Sequence, residues 1–365
     1  MKQIPIAQPA LVGNEKLYVN ECLEDNWISS NGRFITDFEN AFSKFCQTSY
    51  CVVTNNGTTA LHLALESLGT KLGDEVIIPI LTYIATANAV TYCGATPVFV
   101  DVLADGSIDP KKIESAITSK TVGIIAVHLY GIPAHMEEIM RIAKLAKLWV
   151  VEDAAEAHGA SINGKPVGGL ADIGVFSFYG NKIITTGEGG AIVTNEEKWF
   201  ARAKLLRGQG MDTTRRYFFP EVGFNYRMTN IAAAIGLAQL ENIEIIMDRR
   251  REIKNRYDKN LFDSYLVQPF EEGQRTGSVC WLYSILLRDN LNISRDQLIK
   301  RLSALGIESR PFFYPINQNP PYANQIEFPE GQRLSQFGLN LPTFVELDNS
   351  SIDYICSKLQ EILSE

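Results

Sequence analysis

Between residues 50 and 195, short unbroken apolar runs alternate with stretches whose apolar positions recur at helical spacing. CVVT (51–54), EVIIP (75–79), PVFV (97–100), VGIIAV (122–127), LWVVED (148–153), IGVFSF (173–178) and AIVT (191–194) have the texture of strands covered on both faces. TTALHLALESL (58–68), IATANAVTYCG (84–94) and MEEIMRIAKLAK (136–147) carry the helical pattern between them. This alternation predicts an α/β fold with a mainly parallel sheet and helices on both sides. A longer pattern over 231–261 predicts one continuous helix that joins two domains. After it, CWLYSILLRD (280–289) reads as a strand. SRDQLIKRLSALG (294–306) reads as a helix opened by a Ser294/Gln297 capping box and stopped by Gly306. The predicted division is a large domain over 1–245 and a smaller α+β domain over 246–365, with residues 1–30 able to pack on the small one. No internal repeat or low-complexity segment interrupts this organisation.

Composition narrows the possibilities only a little. The chain has 365 residues, 45% of them hydrophobic and 21% charged, which is ordinary for a globular protein. A net charge of −8 argues against a nucleic-acid surface and against a polybasic membrane patch. Cys22, Cys46, Cys51, Cys93, Cys280 and Cys356 show no CxxC pair and no histidine at metal spacing. They read as buried thiols in a reducing compartment, with no metal site expected. MKQIPIAQPALVGNE lacks the apolar centre of a signal peptide, and VIIPILTYIATANAV is broken by Pro79, Thr82 and Asn88. The expectation is a soluble, cytoplasmic protein.

In an open α/β sheet, ligands bind beyond the carboxyl ends of the strands, so the residues there carry the chemistry. CVVT is followed by NNGTTA, which puts Thr58 and Thr59 at a helix start, where amides and the helix dipole suit a phosphate. A plain glycine turn with a threonine N-cap is the commoner use of such a motif. LWVVE leads into DAAEAHGA. Asp153 there is a costly carboxylate unless it finds a cation or hydrogen bonds, and a capping role explains it equally well. Glu156 either turns inward beside Asp153 or faces solvent, and His158 reads as a satisfied structural histidine. IGVFSF is followed by YGNK, with Lys182 past the strand end and GEGG behind it. That order is the reverse of a P-loop, whose lysine follows the glycines. A surface lysine is the usual reading. An anion site, an acid and an amine on three strand ends are, however, the set that pyridoxal 5'-phosphate requires. Its lysine must lose a proton to react, which calls for burial or neighbouring cations.

With these residues in place, the chain resembles the sugar aminotransferases of the DegT/DnrJ/EryC1/StrS family. These have the aspartate-aminotransferase-like, type I fold of pyridoxal-phosphate enzymes. The resemblance runs in order through NWISSNGRFI, VVTNNGTTALHLAL, PILTYIATANAV, HLYGIPAHM, VEDAAEAHGA, FSFYGNKIITTGEGGAIVTN, GFNYRMTNIAAAIGLAQLE and ESRPFFYPI. It implies that Lys182 forms the Schiff base and moves the proton, and that Asp153 pairs with the pyridinium nitrogen. It also implies that Thr58, Thr59 and Ser177 hold the phosphate, that Tyr83 covers the ring and that Glu156 lies near the ring hydroxyl. Asn225 is implied to reach the cofactor phosphate of the other subunit, which makes the active unit a homodimer with shared sites. Trp27, Ser29, Glu188, Arg310 and Tyr314 are candidate substrate contacts, with a surface or structural role the alternative for Arg310.

The wording is most similar to members that move an amino group from glutamate to C4 of GDP-4-keto-6-deoxy-mannose, for surface polysaccharide synthesis. Glutamate leaves as 2-oxoglutarate, and the cofactor passes through pyridoxamine phosphate. A dTDP- or UDP-linked 4-keto-6-deoxyhexose is the alternative substrate. A 3-dehydratase on the same fold is the remoter one, since such relatives replace the lysine with histidine and this chain has Lys182. A non-catalytic regulator would be expected to have lost Lys182 or Asp153. One departure is Asn317, where many relatives carry histidine, which leaves substrate contacts from that segment open.

Overall fold

Most of the apolar runs are strands because both faces are shut off from water, while PVFV (97–100), at an edge of its sheet, is only partly buried. Val52, Val53, Ile77, Ile78, Ile124, Ile125, Ala126, Val150, Val151, Val175 and Phe176 are all buried. The computed structural model describes residues 3–212, 214–261, 267–270, 277–289 and 291–365. Helices α1 (Glu15–Glu24) and α2 (Arg33–Phe45) precede β1 (Tyr50–Thr54), α3 (Gly57–Ser67), β2 (Glu75–Pro79), α4 (Ala85–Tyr92) and β3 (Thr96–Val100). Next come α5 (Pro110–Ala116), β4 (Thr121–Val127), α6 (Met136–Ala146) and β5 (Trp149–Asp153). A short hairpin, β6 (Ser161–Ile162) and β7 (Lys165–Pro166), leads to β8 (Ile173–Ser177), β9 (Gly190–Thr194) and α7 (Glu197–Arg207). The chain continues through α8 (Asn230–Glu241), α9 (Ile243–Leu261), β10 (Val267–Pro269), β11 (Tyr283–Leu287) and α10 (Arg295–Ala304). It finishes with β12 (Arg310–Pro311), α11 (Pro329–Phe337), β13 (Gly338–Leu341) and α12 (Asn349–Leu363).

Seven strands among the described residues form one sheet in the order β1-β9-β8-β5-β4-β2-β3. β2, β3, β4, β5 and β8 pair in parallel, while β9 runs antiparallel to both β8 and β1. Every strand except β9 therefore ends on the same edge, and the loops leaving that edge are brought together. One face packs on α2 and α3 through Phe38, Phe42, Leu63 and Phe178, the other on α5 and α6 through Ile113, Ile139 and Ile142. A second, antiparallel sheet has the order β10-β11-β13-β12. Its core contains Ile285, Leu298, Leu302, Leu339, Ile355 and Leu359. The predicted Ser294/Gln297 capping box opens α10, with both reciprocal bonds made. No helix among the described residues is long and apolar enough to cross a membrane.

The continuous helix predicted over 231–261 is in fact two. Asn242 leaves helical geometry at φ −109°, ψ 16°, and its Nδ2 donates to the Ala238 carbonyl at 3.0 Å. This side-chain bond competes with the helical ladder, and the chain restarts as α9. The first half of α9 contributes Ile243, Ile246 and Met247 to the core of the large sheet. The second half contributes Ile253, Tyr257 and Leu261 to the core of the small one. The N-terminal segment is divided in the same way. Ile4 bridges to Ile307 and joins the small core, while Ile6 joins the large one.

Candidate active site

The anion cup is built at the first turn of α3. Its N-cap is Asn56, not a threonine as the motif suggested. Asn56 Oδ1 accepts from Thr59 N at 2.9 Å. Thr59 Oγ1 also stays inside the turn, donating to Asn55 Oδ1 at 2.6 Å and lying 2.9 Å from the Asn56 carbonyl. The Thr59 donors are therefore occupied, whereas the amides of Gly57 and Thr58 have no acceptor among the described residues. Unpaired amides at a helix start, with the positive end of the dipole behind them, suit a phosphate. Ser177, at the end of β8, is pressed against this turn: a Cβ on Gly57 would come within 2.7 Å of Ser177 Cβ. The last glycine of GEGG serves the same turn, since a Cβ on Gly190 would come within 2.5 Å of the Asn56 carbonyl oxygen.

Beside the cup, the end of β5 carries Asp153, which is 5% exposed. Its Oδ2 accepts from Thr86 Oγ1 at 2.9 Å, and its Oδ1 accepts from Ala155 N at 3.3 Å, so it both turns its own backbone and faces a buried hydroxyl. Burial raises its pKa, opposed first by the Thr86 hydrogen bond and then by Ala155 and the charge of Lys182. Glu156 turns inward. Its Oε2 accepts from Tyr130 N at 2.9 Å and its Oε1 lies 3.5 Å from Lys182 Nζ. Burial raises its pKa too, with Lys182 the strongest opposing influence. The Lys182 side chain is 12% exposed, and Nζ stands 4.2 Å from the centroid of the Trp281 ring. The groups at this amine are thus a carboxylate and an indole face, both attractive to positive charge. Of the two devices the chemistry calls for, burial is present, while the nearest charged group is an anion.

The profile of the DegT/DnrJ/EryC1/StrS aminotransferase family matches residues 9–360. The chain belongs to this family. It is 49% identical to the GDP-perosamine synthase of Caulobacter vibrioides, with 100% of this chain and 99% of the relative covered. Among solved structures it is similar to Helicobacter pylori PseC, an aminotransferase involved in the biosynthesis of pseudoaminic acid. The TM-score is 0.94 at 28% identity, covering 100% of both chains. It is equally similar to Spr1654 from Streptococcus pneumoniae in its PLP-form, at 28% identity and a TM-score of 0.94 over 99% of each chain. The fold is therefore that of the family's sugar aminotransferases.

The remaining family-implied residues are exposed. Tyr83 is exposed, with its ring 5.7 Å from Phe313. Asn225 is exposed in a segment seated on the end of β1 of its own chain, where Asn55 N donates to the Tyr226 carbonyl and Thr54 bridges to Arg227. Trp27 and Ser29 lend their carbonyls to Asn230 at the start of α8, beside a cavity of about 370 Å³ that reaches Cys22, Gly32 and Phe34. Glu188 and Arg310 are exposed, Arg310 paired with Glu308 at 3.1 Å. Tyr314 is exposed below the Arg295 guanidinium, 5.8 Å away. None of Trp27, Ser29, Glu188, Arg310 and Tyr314 makes a contact described above for Lys182, Asp153 or Glu156. Asn317 is turned into its own loop, donating to the Ile326 carbonyl at 2.8 Å.

Several residues that shape the site carry no obvious mark in the sequence. Thr86 is one. Tyr130 is another: buried, left-handed at φ 52°, it presents its amide to Glu156 while its hydroxyl accepts from Phe313 N at 3.0 Å. The HLYG stretch that follows β4 on the same sheet edge was the available signal. Trp281 is the third, fixed by its Nε1–H to the Asn181 carbonyl at 2.7 Å and by Arg250 Nη1 on its own carbonyl at 2.7 Å. His158 lies buried among Phe42, Phe176 and Phe178, with the Ser177 backbone beside its ring, and burial lowers its pKa to about 3.

Proposed function

We propose that this aminotransferase uses pyridoxal phosphate to move an amino group from glutamate to C4 of GDP-4-keto-6-deoxy-mannose, making GDP-perosamine. The observation that carries the chemistry is Lys182 Nζ, held against Glu156 on the sheet edge where Asp153 and the amides of Gly57 and Thr58 also lie. The residues fit the cofactor. A buried carboxylate with a raised pKa lacks a full cationic partner, and a pyridinium would supply one. The unpaired amides of Gly57 and Thr58, with the Ser177 hydroxyl, would take the phosphate. Once bound, the cofactor supplies an electron sink for the carbon that loses or gains a proton.

The chain's own residues would do the rest. Lys182 Nζ would carry the cofactor, then remove the α-proton of glutamate and later deliver a proton to C4 of the sugar. Asp153, fixed by Thr86, would hold the proton on the ring nitrogen. Glu156 would keep the amine in register and meet the ring hydroxyl, while Tyr83 and Phe313 would close one side of the cleft. Asn225 would serve the phosphate of a second copy, which makes the proposed unit a homodimer. The GDP-mannose-derived substrate is supported by the full-length likeness to the Caulobacter GDP-perosamine synthase.

The test is conversion with glutamate and each of three 4-keto-6-deoxy sugars, GDP-, dTDP- and UDP-linked, with the amino sugar and 2-oxoglutarate quantified by mass. Amination of the GDP sugar at a kcat/KM well above the other two is the expected result. Turnover of a dTDP or UDP sugar in preference would leave the aminotransferase and overturn the nucleotide.

A further inference from the structure

Away from the sheet edge, three side chains able to bind metal converge from two helices. His62 and Glu66 sit one turn apart on α3, and Cys93 follows the last residue of α4. One ligand atom from each lies within 4.8 Å of the other two. His62 Nε2 and Glu66 Oε1 are 3.4 Å apart, close to the roughly 3.3 Å separating two ligands of a tetrahedral ion with bonds of about 2.0 Å.

The imidazole is prepared for such a role. The His62 side chain is 7% exposed, and its Nε2 faces the Glu66 carboxylate at 3.4 Å with no well-formed hydrogen bond among the described residues. Its Nδ1 lies 3.0 Å from the Tyr226 hydroxyl. An Nδ1–H donating to that oxygen leaves the lone pair on Nε2, the pattern by which ligating histidines are oriented. The rings of Tyr92, Phe224 and Tyr226 stand around the imidazole at 5.7, 4.9 and 5.9 Å, whereas Glu66 is partly open to solvent.

We propose that His62, Glu66 and Cys93 bind one zinc ion, with the fourth position left to water on the Glu66 side. A thiolate, an imidazole and a carboxylate suit zinc, and the sulfur disfavours magnesium and calcium. Binding replaces the proton on Cys93 Sγ, which leaves to solvent as the S–Zn bond forms. The ion links α3, whose first turn forms the anion cup, to the end of α4, which carries Thr86.

The experiment is equilibrium dialysis of the cofactor-loaded protein, first stripped with a chelator, against zinc chloride, with protein-bound zinc counted by elemental analysis. The expected result is one zinc per chain in the unaltered protein and less than about a tenth of that in His62→Gln and Cys93→Ser. Tyr226→Phe, which only orients His62, is expected to weaken zinc about tenfold or more. Should Cys93→Ser fail to fold, as judged by circular dichroism, Glu66→Gln carries the same test at a partly exposed position. The proposal is overturned if the unaltered protein retains no zinc, or if the folded variants retain as much as it does.

Discussion

The hydroxyl of Thr86 does for Asp153 what solvent would do at the surface. It donates to the carboxylate, stabilises the charged form and opposes the burial that raises the pKa. Removing it in Thr86→Val takes away the strongest influence opposing that rise and is expected to push the pKa further up. A hydrogen bond to a charged group is worth about 1.5–3 kcal/mol, so kcat should fall at least about tenfold and the acid limb of the pH–rate profile should move upward. An unmoved limb would remove Thr86 from this role. For Lys182→Ala, mass analysis of both half-reactions is expected to find neither 2-oxoglutarate nor amino sugar. Asp153 and Lys182 could be read in the sequence because charged residues directly after apolar strands need a reason to be there. Thr86 and Trp281 could not, because threonine in a helix and an aromatic near a core are ordinary. Trp281 reaches the Lys182 loop from a distant part of the chain, and only the packing of the second sheet puts it there.

At the scale of elements, α3 carries the anion cup, and its stability depends on one cap. Asn56→Ala removes the acceptor for Thr59 N and should cost about 1 kcal/mol in urea unfolding. It should also weaken cofactor phosphate binding, because the first turn then frays. Unchanged phosphate affinity in that variant would separate the cap from the cup. Phe42 on α2 meets Phe38, Phe45, Phe176 and Phe178, and Phe42→Ala should cost about 3–5 kcal/mol. The strands of the large sheet were legible because burial on both faces leaves unbroken apolar runs. The α8–α9 break was not, since a single Asn within a helical pattern looks like a solvent-facing residue. The β6–β7 hairpin is too short to show any alternation.

For the whole molecule, three buried groups beside the site contribute to the response to pH. His158 is neutral in the fold with its pKa lowered to about 3. Its contribution is present above the ordinary histidine value near 6.5 and is lost as pH falls towards 3, at about 1.4 kcal/mol per pH unit. Asp153 and Glu156 have raised pKa values. Their contribution is full below the ordinary carboxyl range and is lost as pH rises through the raised values. His158→Phe should therefore flatten the fall in Tm on the acid side and leave the other side unchanged. A parallel acid limb in that variant would refute the assignment.

The helix α9, half in one core and half in the other, has a further consequence. A cut drawn between the two sheets would pass through a rod anchored at both ends, so neither half could melt without unseating the side chains of the other. Calorimetry should then record one heat-absorption peak, and fragments severed within α9 should not regain structure alone. Two sheets joined in this way are expected to behave, in free energy, as one body.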